Sequence, residues 1–297
     1  MSSFLRPAVG VTADDSAVTT AGSTIAGRTA STAAGDAAGD ARSRYRAISS
    51  HLAIAPPVSV VIPAMNEAEN LPYVFKTLPD WIHEVVLVDG NSTDDTVTVA
   101  RDLWPGVKVV KQAGKGKGDA LISGFAACTG DIIVMVDADG SADGQEIVSY
   151  VSALVGGADF AKGSRFANGG GTDDMTPVRR LGNRLLCAVV NAKFGARYTD
   201  LCYGYNAFWR HCLDAITLDC TGFEIETLIN IRVVKAGLRV QEVPSHEYVR
   251  IHGVSNLNAV RDGIRVLKVI LREKGVRRAA RRRPASFSVN VPRGEIS

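Results

Sequence analysis

Cysteine is scarce in these 297 residues, five in all, and no two form a CxxC pair. That excludes a disulfide framework or a cysteine-ligated zinc module, and a chain this long builds a core without such staples. The thiols are expected reduced and mostly buried. Long apolar runs are missing too: the richest, such as Ile132 to Val136, break well short of the ~18 residues a membrane-crossing helix needs. Met1 to Ser50 lacks the basic start and apolar stretch of a signal peptide. The expected location is therefore cytoplasmic, with peripheral attachment to the inner face of a membrane left open. Two nucleotide-binding signatures are also absent. Pro63-Ala64-Met65-Asn66-Glu67 follows the first strand-like run where a dinucleotide-binding enzyme carries Gly-x-Gly-x-x-Gly, and the loop Gly114 to Gly118 lacks a Ser or Thr after Lys117 and a glycine at 111. An NAD enzyme and a P-loop ATPase are both disfavoured.

What is present begins with 46% hydrophobic and 22% charged residues, enough for one large globular domain. The net charge of +3 is unevenly spread: Arg261 to Arg283 holds ten Lys or Arg against two acids, so that segment is +8 and the rest of the chain −5. One basic appendage fits this better than a broad nucleic-acid-binding face, and no nucleic-acid partner is expected. Residues 1–55, rich in Ala, Gly, Ser, Thr and Asp, are expected to form a disordered tail. Residues 276–297 are expected to form a basic disordered one.

Between these tails, residues 56–275 alternate apolar runs with helical patterns. Val58 to Ile62, Val85 to Val88, Val107 to Val110 and Ile132 to Val136 read as buried parallel strands. Helices are predicted at Asn70 to Leu78, Asp94 to Leu103 and Asp119 to Cys128, which makes an α/β domain of right-handed βαβ units. The second half reads as mixed α+β. Its predicted elements are a helix from Gln145, a strand near Phe160, a glycine-rich loop from Asn168 to Thr172 and a helix from Pro177. A helix at Glu224 to Lys235, strands at Leu238 to Val243 and His246 to Ile251, and a helix from Asn256 to Lys274 follow. The last helix sets Val260, Ile264, Leu267 and Leu271 on one stripe and Arg261, Arg265, Lys268 and Arg272 on another. The apolar stripe is expected either to dock on the domain with the cations solvated, or to accompany cations that meet anionic lipid headgroups.

In such a sheet, ligands collect at the carboxyl ends of the strands. Two loops there are rich in carboxylates: Asp89-Gly90-Asn91-Ser92-Thr93-Asp94 and Asp137-Ala138-Asp139-Gly140-Ser141. An Asp-x-Asp by itself is a weak signal, but at a strand end two hard oxygen ligands suit Mg²⁺ or Mn²⁺ facing a diphosphate.

Five motifs in order, Val-Ile-Pro-Ala-Met-Asn-Glu, Val-Asp-Gly-Asn-Ser-Thr-Asp-Asp-Thr, Gly-Lys-Gly-Asp-Ala-Leu, Asp-Ala-Asp-Gly-Ser and Arg-Ile-His-Gly-Val-Ser-Asn-Leu, resemble those of the family 2 glycosyltransferases with a GT-A fold. The likeness spans about Val58 to Leu271 and is greatest to the branch that includes dolichyl-phosphate mannose synthase and bacterial polyprenyl-phosphate glycosyltransferases. The resemblance implies an inverting transfer of a hexose from a UDP- or GDP-sugar, with a polyprenyl phosphate at the membrane surface as acceptor. A soluble hydroxyl acceptor, or a non-catalytic nucleotide-sugar-binding protein, is the alternative. It implies that Pro63, Asn66, Glu67 and Asp89 embrace the nucleoside, that Lys117 lies near base or ribose, and that Asp137 and Asp139 hold the metal. Glu67 and Asp89 also have plainer roles open to them, as helix-start support and as a turn former. Ser141 stands where some relatives have glutamine, Arg250 is the cation for the diphosphate, and Asn256 replaces a lysine. His252 either assists Arg250 and the metal or is a packing residue. Arg165 matches a family arginine, which the resemblance places among the nucleotide-sugar-binding residues, and otherwise reads as a surface residue. Asp200 matches an acidic residue near the acceptor, either a general base, needed only for a hydroxyl nucleophile, or a group orienting Arg179 or Arg180. Glu224 and Glu226 are alternative bases, of which at most one enters the site. Tyr203, Tyr205, Phe208 and Trp209 read as core rather than as a sugar platform.

Overall fold

The computed structural model describes residues 56–254 and 259–275. The two expected tails and Asn256 lie outside the described residues, as does the side chain of Val260.

The strands are β1 (Val58–Ala64), β2 (Glu84–Asp89), β3 (Lys108–Lys111), β4 (Ile132–Met135), β5 (Phe160–Ser164), β6 (Gly171–Thr172), β7 (Asn206–Trp209), β8 (Val240–Pro244) and β9 (His246–Glu247). The helices are α1 (Leu71–Thr77), α2 (Thr96–Leu103), α3 (Lys117–Ala127), α4 (Ile147–Val155), α5 (Pro177–Phe194), α6 (Cys212–Ala215), α7 (Ile225–Lys235) and α8 (Ala259–Arg272). Seven strands form one sheet in the order β3-β2-β1-β4-β7-β5-β8, parallel except for β7, which runs against both neighbours. A parallel ribbon of β6 and β9 sits beside it.

The sheet is covered on both faces, and strict alternation along its strands divides the core in two. Val60, Ile62, Val85 and Leu87 face the layer holding Leu71, Val74, Tyr150 and Leu154 of α1 and α4. Val61, Val86 and Val88 face the layer holding Leu121, Cys187, Leu228 and Val269 of α3, α5, α7 and α8. Burial on both sides explains the uninterrupted apolar runs, each fully buried aliphatic side chain contributing about 1.5–3 kcal/mol. Four cysteines are in this core and Cys202 is exposed, all as free thiols. Burial pushes the thiols of Cys128, Cys187 and Cys212 up to about 12. Tyr203, Tyr205 and Phe208 are core residues, with Tyr205 stacked on Tyr150 at 4.5 Å.

Helix α5 shows how local sequence sets an element. Pro177 opens it, Thr176 accepts a hydrogen bond from the Arg179 amide at 3.3 Å, and Gly195 closes it at φ +70°. These are the expected start and stop signals of a helix.

The last helix departs from expectation. The stripe Ile264, Leu267 and Leu271 points outward, while Asp262, Val266, Val269, Ile270 and Glu273 turn inward. Positions 262, 266, 269 and 273 form a second stripe on the opposite side of the helix, and Glu273 there bonds Arg232 and Lys235 of α7. The domain takes this valine-centred face because its carboxylate finds partners inside.

Candidate active site

Register brings the polar loops level at one edge of the sheet: Ala64 pairs with Asp89, Asp89 with Lys111, and Val61 with Met135, two residues before Asp137. Loops after β1 and β2 are latched together. Asn66, at φ +59°, accepts from the Thr93 amide at 2.7 Å and donates its own amide to Ser92. The Ala68 amide donates to Asp94, and the Glu67 amide to Thr96. One Asp89 oxygen accepts the Ser92 amide at 2.9 Å, so Asp89 forms the turn whatever else it does.

Glu67 forms a clamp on the late motif. Its buried carboxylate meets Arg250 Nη2 through both oxygens at 2.6 Å and accepts from Asn70 Nδ2 at 2.6 Å. A buried carboxylate needs such a partner, since desolvation without one is costly. Asn70 also accepts the His252 amide at 2.9 Å, and the His252 ring packs on Tyr73 at 5.6 Å. The late motif is thereby fastened to the first helix. His252 contributes packing and backbone, while Arg250 Nη1 reaches within 3.5 Å of Asp139.

Asp139 accepts from the Ser141 amide and hydroxyl at 3.0 and 2.7 Å. Burial and the neighbouring charge of Asp137 push its carboxyl up, against the pull of Ser141 and Arg250. Asp137 lies 2.6 Å from Lys117 Nζ, which lies 2.6 Å from Glu226. Lys117 is therefore paired on the Asp-x-Asp side of the site, with Asp137 and Glu226. Burial by itself lowers the lysine pKa, but the two carboxylates outweigh it and raise it. Glycines permit this arrangement. Gly116, at φ +91°, and Gly118 press against the carbonyls of Thr221 and Cys220, where any Cβ would collide. A Cβ on Gly204 would fall 2.7 Å from Glu226, 2.9 Å from Asp137 and 2.9 Å from Lys117. Sequence reading missed Gly204; its setting between two tyrosines carried no signal beyond core packing. Glu224 stays with the Gly222 amide, so one of the paired glutamates joins this group.

A second cluster lies where β5 and the ribbon meet. Arg165, read as a surface or nucleotide-binding residue, is buried and saturated. Its Nε and Nη2 donate to Asp200 at 2.7 and 2.9 Å, its Nη1 to Glu247 at 2.9 Å, and its guanidinium stacks 4.9 Å over Tyr203. Asp200 is fully buried. Burial raises its pKa, but the Arg165 hydrogen bonds and charge hold it below the usual carboxylate range. Its partner is thus Arg165; Arg179 pairs with Asp174 and Arg180 stacks on Phe166.

Two hard carboxylates in one turn, each already beside a cation, form a donor set suited to a divalent ion. Among the described residues no cluster of three or more His, Cys, Asp or Glu gathers to hold an ion.

The glycosyl transferase family 2 model matches residues 59–216. The chain is 33% identical to glycosyltransferase AglJ of Haloferax volcanii, over 69% of this chain and 68% of that protein. It is 32% identical to the dolichol-phosphate mannosyltransferase of Pyrococcus furiosus, over 67% of this chain but 59% of that enzyme. To the polyprenol monophosphomannose synthase of Mycolicibacterium smegmatis it is 33% identical, over 73% of this chain and 86% of that one. A solved structure of glucosyl-3-phosphoglycerate synthase from Mycobacterium tuberculosis, in complex with Mn²⁺, UDP-glucose and phosphoglyceric acid, aligns with TM-score 0.59 and 26% identity, over 73% of this chain and 79% of that one. Sheet order, strand-end loops and these matches agree: the chain is a glycosyltransferase of the GT-A fold and belongs to glycosyl transferase family 2.

Proposed function

We propose that this enzyme transfers a hexose from a nucleotide sugar to a polyprenyl phosphate, with inversion, assisted by Mg²⁺ or Mn²⁺ on Asp137 and Asp139. The observation that carries the acceptor class is that the two best-placed candidate bases are spent: Asp200 is locked on Arg165, and Glu226 on Lys117. A hydroxyl nucleophile needs a free base, whereas a phosphate arrives as an anion and needs none. Relatives named for dolichol-phosphate and polyprenol substrates support the same reading. Support for the metal comes from the paired carboxylates and from the Mn²⁺ complex of the structural neighbour. When bound, the ion acts as a Lewis acid that neutralises the departing diphosphate.

In this reading the chain's own residues divide the work. Pro63, Asn66 and Asp89 border the nucleoside, Glu67 holds Arg250 in place, and Arg250 faces the diphosphate beside Asp139. Lys117 keeps Asp137 and Glu226 aligned, and Arg165 with Asp200 forms the rigid floor of the acceptor side. The test is incubation of purified protein with Mn²⁺, UDP- and GDP-hexoses in turn, and a polyprenyl phosphate in detergent, with lipid-linked sugar read by mass spectrometry. One donor class should give product. Transfer to sugar hydroxyls alone, with none to the lipid phosphate, overturns the proposal.

A further inference from the structure

The outer surfaces of α5 and α8 are apolar where helices of a monomeric globule are ordinarily polar. On α5, Val178, Leu181, Leu185 and Val189 are 78, 60, 60 and 39% exposed, and on α8, Ile264, Leu267 and Leu271 are 50, 40 and 63% exposed. Each set falls on one stripe at helical spacing, opposite the stripe its helix buries: Asn183, Cys187, Val190 and Phe194 in α5, Val266, Val269 and Ile270 in α8. Both inner stripes enter the same core layer. The helices are joined directly, with Lys193 Nζ donating to the Ile270 carbonyl at 2.8 Å and to the Leu271 carbonyl. Seven large apolar side chains on two joined helices exceed the scattered exposure that needs no explanation.

Charge identifies the occupant. The two helices carry eight cations, Arg179, Arg180, Arg184, Lys193, Arg261, Arg265, Lys268 and Arg272, and a single acid, Asp262, which is buried. The exposed acids beside them come from neighbouring segments, Asp174 on Arg179 and Asp219 on Arg272, so a face with apolar ridges and an excess of cations remains complementary to an anionic lipid surface, in which apolar side chains sink to the acyl boundary and guanidinium groups meet phosphates. No helix among the described residues is long and apolar enough to cross a membrane. Position adds a reason: α5 begins beside the acceptor-side cluster, with Arg180 stacked 5.6 Å from Phe166, next to Arg165.

We infer that the outer faces of α5 and α8 together form an interfacial surface that inserts into an anionic bilayer, placing the Arg165–Asp200 side of the site toward the lipid. The inference rests on the lipid-acceptor reading for its purpose, not for its evidence. The test is flotation of the full chain with vesicles of phosphatidylcholine alone and of phosphatidylcholine with phosphatidylglycerol at 3:1. It compares wild type with the quadruple variant Leu181→Ser, Leu185→Ser, Ile264→Ser, Leu267→Ser, which keeps all eight cations. Wild type should float with the anionic vesicles, and the variant at least tenfold less, while it still unfolds cooperatively with a melting temperature only modestly lowered, because the four side chains are 40–60% exposed.

Equal flotation of the two proteins would overturn the inference, since cations alone would then suffice. So would a wild type that does not float and sediments as a dimer while the variant is monomeric, which would make the face a contact between two copies. Transfer to a short-chain polyprenyl phosphate in detergent separates the two readings. If it persists without flotation the surface fails alone, and if it is absent despite flotation the acceptor reading fails alone. A variant that does not fold is replaced by the single changes Leu185→Ser and Leu267→Ser, each expected to weaken flotation by a smaller factor; no weakening by either counts against the inference.

Discussion

Asp200→Asn separates the two uses an acidic residue can have here. The carboxylate is fully buried and makes two charge-assisted bonds to Arg165 Nε and Nη2, at 2.7 and 2.9 Å. Asparagine keeps the volume and one acceptor but removes the charge, leaving Arg165 only Glu247 as a carboxylate partner. Breaking a buried pair costs about 3–5 kcal/mol, and the retained acceptor places this change near the lower end. A loss of about 3 kcal/mol lowers the melting temperature of a domain this size by roughly 6–12 °C. The pH dependence has a defined sign. Because the native Asp200 pKa is depressed, its stabilisation is complete above the unfolded value near ~3.9 and is lost as pH falls through the native value. Wild-type stability should therefore fall more steeply than that of the variant below about pH 4. The assays are thermal denaturation between pH 3 and 7 and transfer to polyprenyl phosphate, normalised to folded protein. Transfer should fall by less than about tenfold, against the ~10²–10⁴ that loss of a general base costs. A melting temperature within 2 °C of wild type, or transfer reduced a hundredfold in folded protein, would refute the reasoning.

Asp139→Ala should abolish turnover with little effect on folding, since its partners Ser141 and Arg250 are partly exposed; retention of more than about a tenth of the activity with Mn²⁺ supplied rejects its role as a ligand. Asp89→Ala should remove the calorimetric signal for whichever of UDP or GDP the wild type binds. Unchanged nucleotide affinity with a modest fall in melting temperature would restrict Asp89 to its bond with the Ser92 amide. Lys117→Met should tighten Mn²⁺ binding in the absence of nucleotide by about tenfold, or ~1.4 kcal/mol, because the ammonium now sits 2.6 Å from Asp137. Weaker Mn²⁺ binding by this variant, measured calorimetrically, would show that Lys117 supports the metal site and does not compete for it.

Much of this was legible because parallel strands buried on both faces write themselves as continuous runs, and because the loops that matter follow those runs directly. Val58 to Ile62 and Ile132 to Val136 located β1 and β4, and hence placed the site loops. Strand β7 was not legible. Its four residues, Asn206 to Trp209, begin with a buried asparagine, and an antiparallel insertion between β4 and β5 leaves no periodic trace in so short a segment. Helix α8 was legible as amphipathic but not in its orientation. It carries apolar residues on two opposite sides, and what decided between them was Glu273 meeting Arg232 and Lys235, a pairing between distant segments. The same limit applied within the site. Glu67, Arg165 and Lys117 stood out by motif, yet what each holds is fixed by contacts across 183, 35 and 109 positions of sequence, to Arg250, Asp200 and Glu226.

Those long-range pairs also explain why the donor end of the site carries so many opposed charges. Four carboxylates face two cations in two triads, Asp137–Lys117–Glu226 and Glu67–Arg250–Asp139, which meet at the Asp137–Asp139 turn. With every group ionised this set has a formal charge of −2, an unfavourable place for a nucleoside diphosphate that is itself anionic. Burial, and after it the charge of Asp137, push the Asp139 carboxyl up, so ionising both carboxylates of this turn is disfavoured. On the proposed reading, a divalent ion held by Asp137 and Asp139 would bring the set to neutrality and lower the demand of these carboxylates on Lys117 and Arg250. Lys117 and Arg250 would then be free to face the diphosphate. Metal and donor binding must in that case reinforce each other, and by linkage each raises affinity for the other by the same factor. In that reading the ion pairs to Lys117 and Arg250 serve to keep the four carboxylates compensated and aligned for the exchange.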